Sequence, residues 1–387
     1  MKNYPLLTER YIVNTYPNRY LTFTHGNGVY LYDNQKEKYL DMMSNYGVNI
    51  FGYNHKKINK SIITQVQKLT NLHGSFNNEI RIQASSTLID RCGPSYHQVY
   101  WSNSGAEAIE AALKFAVLTT KKRRFIVCDH AYHGKTLGAL SATAGDKYRS
   151  PFLPLLWEFV RIPFNNISSL EQTIDENTTG FIVEPIQGEG GLVIPHSNYL
   201  KEVRKLCSQK NILLILDEIQ TGAGRTGYFL ASQESKVDGD IVCLGKGIAG
   251  GLPVGLTIIN EKVAQMIPKN SHTSTFGGNP LTCATTLTTL ELLTNKQLNK
   301  NIHLGNYFMQ LLSEIKSPFI KQIRGKGFMI GIEVTDKRNE ILKLFQLHHI
   351  LVIPAGNNVI RFLPPYLITK KHIEIAVKQT HKIFQQL

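Results

Sequence analysis

Seven short apolar runs alternating with amphipathic segments constrain this chain more than any other feature. They are Gln98–Trp101, Phe125–Cys128, Phe159–Ile162, Phe181–Val183, Ile212–Leu216, Ile241–Leu244 and Val254–Ile259. Several are β-branched and apolar throughout, which suits strands buried on both faces of a largely parallel sheet. Between them lie helical patterns such as Ala106–Val117 and Tyr199–Ser208. Helices separating strands predict a doubly wound α/β sheet with helices on both sides.

The flanking regions read differently. In residues 1–45, Tyr20–Phe23 and Val29–Tyr32 flank His25-Gly26-Asn27-Gly28, a hairpin turn. After residue 281 come long helices, short strands around Arg324–Val334, Leu351–Ile353 and Val359–Phe362, and a closing helix. The expected organisation is an N-terminal helix-and-hairpin segment (1–45) belonging to a small domain, a large domain (46–280) and a C-terminal small α/β domain (281–387). A length of 387 residues suits a large domain with a satellite.

Composition excludes several classes. With 42% hydrophobic and 19% charged residues the balance is that of a globular protein. No run of about 18 apolar residues predicts a membrane span, and the N-terminus has no apolar core of a secretory signal. The five cysteines are scattered without a CxxC pair, and Cys128 and Cys243 fall in expected buried strands. Reduced thiols of a cytoplasmic enzyme account for them. The net charge of +14 is spread along the chain, and its one dense run, Lys121-Lys122-Arg123-Arg124, reads as a solvated connection. No recognised module or interleaved aromatics accompany it, so no nucleic-acid partner is expected. A basic surface would speed the arrival of dicarboxylates without identifying a function.

Doubly wound sheets bind ligands beyond the carboxyl ends of their strands. After the first run comes Ser102-Asn103-Ser104-Gly105-Ala106, then a helix. Small residues there leave backbone N–H groups open to a phosphate, though plain capping by Ser104 reads equally well. After the second comes Asp129-His130-Ala131-Tyr132-His133, where Tyr132 suits stacking on a flat cofactor or simple packing. His130 and His133 lack a third ligand of matching spacing, so no metal is expected. The fifth run ends at Asp217, a carboxylate at a desolvated position that calls for a cationic partner such as a pyridinium nitrogen. The sixth ends at Lys246 between two glycines, where an amine suits Schiff-base chemistry, although a lone loop lysine is usually solvated. Gly222-Ala223-Gly224-Arg225-Thr226-Gly227 spells a dinucleotide fingerprint but neither follows the strand directly nor opens a helix. Gly245-Lys246 lacks the upstream glycine and trailing Ser/Thr of a P-loop.

Taken in order, phosphate-ready turn, aromatic, acid and lysine fall on successive connections of one sheet. Here the chain resembles the class III, fold type I, pyridoxal 5′-phosphate (PLP) dependent aminotransferases over essentially its whole length. The resemblance rests on NSGAEA (103–108), YHGKTLGALSATA (132–144), EPIQGEGG (184–191), LDEIQTGAGRTG (216–227), LGKGIAGGLPVG (244–255), STFGGNPL (274–281), RGKGFMIGIE (324–333) and IRFLPP (360–365).

The resemblance implies a mainly parallel seven-stranded sheet in the large domain. It implies that Lys246 bonds the cofactor covalently and later shuttles a proton, that Asp217 partners the pyridinium, and that Gln220 lies near the ring hydroxyl. Tyr132 matches the stacked aromatic, and Ser104, Gly105 and Ala106 match the phosphate cup. Thr275 matches a residue that reaches the phosphate of the neighbouring subunit, which implies a homodimer. Glu189 and Arg361 match a pair in which the glutamate covers the arginine until the α-carboxylate of 2-oxoglutarate or glutamate arrives; the plain alternative for Arg361 is a structural ion pair. Glu184 matches a glutamate near the cofactor.

Lys135 departs from the pattern. Acetylornithine and ornithine aminotransferases usually have Arg there to grip the donor's α-carboxylate, and a lysine offers a point charge without the fork. The stretch through Leu156 is more similar to putrescine aminotransferases, while the chain length is similar to acetylornithine enzymes. The reading is transfer of a terminal amino group from an ornithine-like donor, N-acetylornithine first, to 2-oxoglutarate. Putrescine or another diamine is the runner-up, ahead of ornithine or 4-aminobutyrate. A non-catalytic binding module would be expected to have lost Lys246 or Asp217. An aminomutase would not need the Glu189 and Arg361 pair.

Overall fold

The computed structural model describes residues 4–387. Seven strands build the large sheet: β4 (Gln98–Ser102), β5 (Arg124–Cys128), β6 (Glu158–Ile162), β7 (Thr178–Val183), β8 (Leu213–Asp217), β9 (Ile241–Gly245) and β10 (Gly255–Ile259). Before them β1 (Phe23–Asn27), β2 (Tyr30–Asp33) and β3 (Lys38–Asp41) form an antiparallel meander. The large sheet has the order β4-β10-β9-β8-β7-β5-β6. Only β10 opposes its neighbours, β4 and β9; the remaining pairings are parallel. The seven apolar runs of the sequence are these seven strands, with ends moved by one to three residues.

Side-chain alternation along the strands explains why the runs are apolar at every position. Leu213 and Ile215 of β8 enter one core with Phe125, Val127 and Ile182, while Leu214 and Leu216 enter another with Ile126, Phe181 and Val183. The helix Gly105–Thr120 covers the first face through Ala108, Ile109, Ala112, Leu113 and Ala116. The helix Tyr199–Gln209 covers the second through Tyr199, Leu200, Val203 and Leu206. Each fully buried leucine here contributes about 1.5–3 kcal/mol. Only a sheet sandwiched between helices can bury both sets.

The C-terminal region adds β11 (Ile320–Lys326), β12 (Met329–Val334), β13 (Ile350–Leu351), β14 (Ile353–Ala355) and β15 (Val359–Phe362). The antiparallel sheet β11-β12-β15-β14 excludes β13, which instead extends the N-terminal meander by pairing parallel to β3. The single strand expected at Leu351–Ile353 is therefore two, with Val352 as the pivot between sheets. The hairpin turn also differs from expectation. Phe23–Asn27 pairs with Tyr30–Asp33, so the loop is Gly28-Val29, and Tyr20 lies outside with φ +57°. Gly28, at φ +59°, supplies the conformation that a two-residue hairpin loop needs.

One strained segment braces the site from behind. Ser44, Asn45 and Tyr46 all have positive φ (46°, 49° and 58°), a run costing non-glycine residues roughly 1–2 kcal/mol each. Hydrogen bonds hold it. The Asp41 carboxylate accepts the N–H groups of Met43 and Ser44 (both 2.9 Å), and the Ser44 hydroxyl donates to the Leu363 carbonyl at 2.6 Å. Among the described residues no helix is long and apolar enough to cross a membrane.

Candidate active site

The carboxyl ends of β4, β5, β7, β8 and β9 open on one edge of the sheet, where β10 begins; Gly255 pairs with both Ser102 and Gly245. At the end of β4 the Ser104 hydroxyl accepts the Glu107 N–H (3.2 Å), and the Glu107 carboxylate returns to the Asn103 N–H (2.9 Å). This reciprocal cap starts the helix at Gly105. It leaves the N–H groups of Gly105 and Ala106 without an acceptor among the described residues, at the positive end of a 16-residue helix. Gly134 packs against this turn so closely that a Cβ there would lie 2.8 Å from that of Ala106.

After β5, the Tyr132 N–H donates to Glu184 (3.0 Å), and the Tyr132 ring meets Tyr148 edge-on with centroids 5.9 Å apart. His133 is wholly buried, and its Nδ1 lies 2.7 Å from Asp217 Oδ2. Burial works against the His133 proton, but the hydrogen bond and charge of Asp217 outweigh it and raise the pKa. The Asp217 carboxylate also accepts the Ile219 N–H at 3.0 Å. Glu184, at the end of β7, accepts the N–H groups of Tyr132 and Gly188. Burial pushes its carboxyl up to about 7; the nearby His133 charge opposes the rise and Asp217 adds to it.

Lys246 follows β9 directly, at φ +50° between Gly245 and Gly247. A Cβ on Gly247 would come within 2.4 Å of Ile50, so the chain just after the strained Ser44–Tyr46 run packs closely against the lysine loop. Burial lowers the Lys246 pKa, with Asp217 pulling it up and Arg361 pushing it down. Its ammonium has no hydrogen-bond partner among the described residues.

Arg361, on β15, enters the same crevice fully buried. Its guanidinium donates to Glu189 (2.6 Å) and to the Gln220 amide oxygen (2.9 Å). The Glu189 carbonyl is held by the Gly356 N–H at 2.8 Å, so its backbone is fixed while its carboxylate reaches in from the rim.

The structure thus gathers Glu184, Asp217, Gln220, Glu189, Arg361, Tyr132 and Lys246 around one crevice, with Ser104–Ala106 at its edge. Lys135 is exposed, with its ammonium 5.0 Å from the Tyr148 ring centroid. Thr275 is exposed and hydrogen-bonds to none of these residues, although the adjacent Ser274 accepts from Asn103 (3.3 Å). His133, which the structure brings to Asp217, is weighed in the sequence only as a metal ligand. Its signal was the buried acid two strands away, which needed a cation. Among the described residues no three His, Cys, Asp or Glu side chains gather as a metal site. The Gly222–Gly227 loop is structural: buried Arg225 donates to the Pro364 carbonyl (2.6 Å) and lies over Tyr366.

The donor set suits pyridoxal phosphate. It offers a part-buried amine without a partner, a buried carboxylate oriented by an imidazole, and unsatisfied N–H groups at a helix start.

Comparison with known proteins agrees. The family model for class-III aminotransferases matches residues 11–384. The acetylornithine aminotransferase of Methanopyrus kandleri is 36% identical over 376 residues, 96% of either chain. A Pyrococcus furiosus protein described as a putative [LysW]-aminoadipate semialdehyde/glutamate semialdehyde transaminase is 41% identical over 356 residues, 92% of this chain and 94% of that one. The ornithine aminotransferase structure from Toxoplasma gondii, described with partial occupancy of PLP at its active site, superposes with a TM-score of 0.94 at 32% identity, covering 98% and 93% of the two chains. The chain belongs to the class-III aminotransferases, fold type I enzymes that work with pyridoxal 5′-phosphate.

Proposed function

We propose that this enzyme moves the terminal amino group of N-acetylornithine to 2-oxoglutarate, leaving an aldehyde on the donor and forming glutamate. The observation that carries the reading is the Glu189–Arg361 pair beside Lys246 and Asp217. An enzyme that alternates between a terminal amine and an α-amino acid needs a carboxylate grip that can be covered and uncovered. A buried guanidinium under a rim glutamate supplies one. The names of relatives such as the Methanopyrus enzyme support the donor.

When bound, PLP supplies the electron sink that makes the donor carbon acidic. We assign Lys246 the covalent hold on the cofactor and the proton carried to and from that carbon. Its lowered pKa suits the neutral amine such a base needs. Asp217 would hold a positive charge on the pyridine nitrogen, and His133 orients Asp217. The N–H groups of Gly105 and Ala106, with the Ser104 hydroxyl, take the phosphate. Tyr132 would stack on the ring, and Gln220, which accepts from Arg361, would serve the ring hydroxyl. Glu184 shapes the pocket floor through the backbone of Tyr132 and Gly188. Lys135 attracts the carboxylate end of the donor.

We further read the working unit as a homodimer in which Thr275 reaches the partner's phosphate site; its exposure supports this. Residues 46–280 would form the large domain, with 1–45 and 281–387 together making the small one; the pairing of β3 with β13 supports that grouping. Residues 1–3 lie outside the described structure. The free, buried state of all five cysteines supports a cytoplasmic setting.

A second reading, a diamine such as putrescine as donor, is favoured by lysine rather than arginine at position 135 and by the similarity of the stretch through Leu156 to putrescine aminotransferases. Assaying the purified holoenzyme with N-acetylornithine, ornithine, putrescine and 4-aminobutyrate, each with 2-oxoglutarate, tests both. Turnover highest with N-acetylornithine is expected; activity with putrescine alone would overturn the leading choice.

A further inference from the structure

Past Arg361 the chain leaves β15 through Phe362-Leu363-Pro364-Pro365. The two prolines have no N–H, so between Leu363 and Tyr366 only carbonyls remain to hold the backbone. Two side chains take neighbouring carbonyls. The Ser44 hydroxyl donates to Leu363 at 2.6 Å, and the Arg225 guanidinium donates to Pro364 at 2.6 Å. Both are costly to keep. Ser44 sits at φ +46°. Arg225 is a buried cation with no ion pair among the described residues, and its Nη2 has no hydrogen-bond partner there. Asp41 bears on its charge only from beyond ion-pair distance. Such costs persist where the surroundings over-determine them, and they cluster at functional sites. The Arg225 backbone is fixed as well: its carbonyl accepts the Phe328 N–H (2.9 Å) just before β12, the strand paired with β15. On the same connection after β8, Gln220 accepts from the Arg361 guanidinium at 2.9 Å. That connection therefore meets the end of β15 twice, at the Arg361 side chain and at the Pro364 backbone.

We propose that Ser44 and Arg225 are positioning residues for the α-carboxylate of the acceptor: by holding the Leu363 and Pro364 carbonyls they fix how far Arg361 reaches into the crevice. This rests on the reading of Arg361 as the carboxylate grip. A guanidinium serves a carboxylate best when both N–H···O bonds form, and that fork tolerates little displacement. Glu189 steadies the Arg361 head only until a substrate carboxylate replaces it. The two backbone clamps act whether the glutamate covers the arginine or not, so the grip keeps one depth in both states. A donor that reacts through its terminal amine puts no α-carboxylate at Arg361 and is indifferent to that depth. The clamps therefore serve one of the two substrates.

Single-turnover reaction of the PLP form with L-glutamate, against the same form with whichever terminal-amine donor the wild type uses, tests this. The rate constant for glutamate should fall about threefold in Ser44→Ala and about tenfold in Arg225→Gln, the scales of a neutral and a charged hydrogen bond. The rate constant for the terminal amine should stay within about twofold. Titrating the PLP form with 2-oxoglutarate, which lacks the amine to react, should show the same losses in affinity without turnover. Ser44→Gly removes the same hydroxyl but relieves the positive φ, so it should melt at a higher temperature than Ser44→Ala and lose as much with glutamate. A glycine variant that recovers the glutamate reaction overturns the proposal, because stability alone would then explain the loss. Equal losses with both substrates also overturn it. Should Arg225→Gln fail to fold, the two Ser44 variants carry the test. Arg361→Ala separates the proposal from its premise. If that variant spares glutamate, the grip reading falls and the clamps with it. If it loses glutamate while Ser44→Ala and Arg225→Gln behave as wild type, the clamps alone fall.

Discussion

The Glu189 carboxylate lies 2.6 Å from a guanidinium nitrogen of Arg361, and the two differ in freedom: the arginine side chain is 0% exposed, the glutamate 30%. In the proposed role the arginine is a fixed feature of β15, and the glutamate is a cover that would leave it. Its departure needs an incoming carboxylate, because an uncompensated buried guanidinium is costly. Arg361→Ala should therefore raise the KM for 2-oxoglutarate about a hundredfold, the scale for removing one partner of a buried charged contact. It should affect the KM for the amino donor far less. Equal rises for both substrates in separate half-reaction assays would contradict the role.

His133 donates to Asp217 across the sheet at 2.7 Å. A hydrogen bond to a charged group contributes about 1.5–3 kcal/mol, so His133→Asn should weaken cofactor binding about tenfold or more. Titrating apoenzyme with PLP measures this. An unchanged dissociation constant would mean that Asp217 needs no such support.

Glu184 carries a pH signature. Its folded-state pKa is raised from 4.5 to about 7, chiefly by burial. Between those values the folded state binds more protons than the unfolded one, so this group's contribution to stability falls as pH rises through the window. Glu184→Gln removes the ionisation. From pH 5 to pH 8 the variant should gain on the wild type by about 1–3 kcal/mol. Urea unfolding of both proteins at the two pH values reads the gap, and a pH-independent gap would contradict the burial argument.

Thr275 gives a test by complementation. If it serves the partner's site, a hybrid of one Lys246→Ala chain and one Thr275→Glu chain has a single complete site: wild-type Lys246 from one chain, wild-type Thr275 from the other. Mixed and co-refolded variants should regain activity that neither homodimer shows. No recovery despite hybrid formation would place Thr275 outside the site.

The elements were legible where local chemistry decides. Ile241–Leu244 reads as a two-faced strand because every position is apolar, and the structure buries every one of them. The order of Ser104, Tyr132, Asp217 and Lys246 was equally legible, since each ends a recognisable run. Pairings across long sequence gaps were not. His133 and Asp217 lie 84 positions apart, and nothing near His133 announces which strand will lie beside it. The hairpin slipped because Gly26-Asn27 and Gly28-Val29 are both plausible loops, and the choice falls to register against β2 and to the Gly28–Tyr53 bridge. Val352 divides two sheets because of what lies beside each half, β3 on one side and β15 on the other.

The central claim is that Lys246 holds the cofactor. Reducing the holoenzyme with borohydride fixes PLP to the amine that carries it, and peptide mass mapping locates the adduct. A pyridoxyl group on the peptide containing Lys246, absent from Lys246→Ala, is the expected result; an adduct on another lysine, or none on an active wild-type enzyme, would contradict the account.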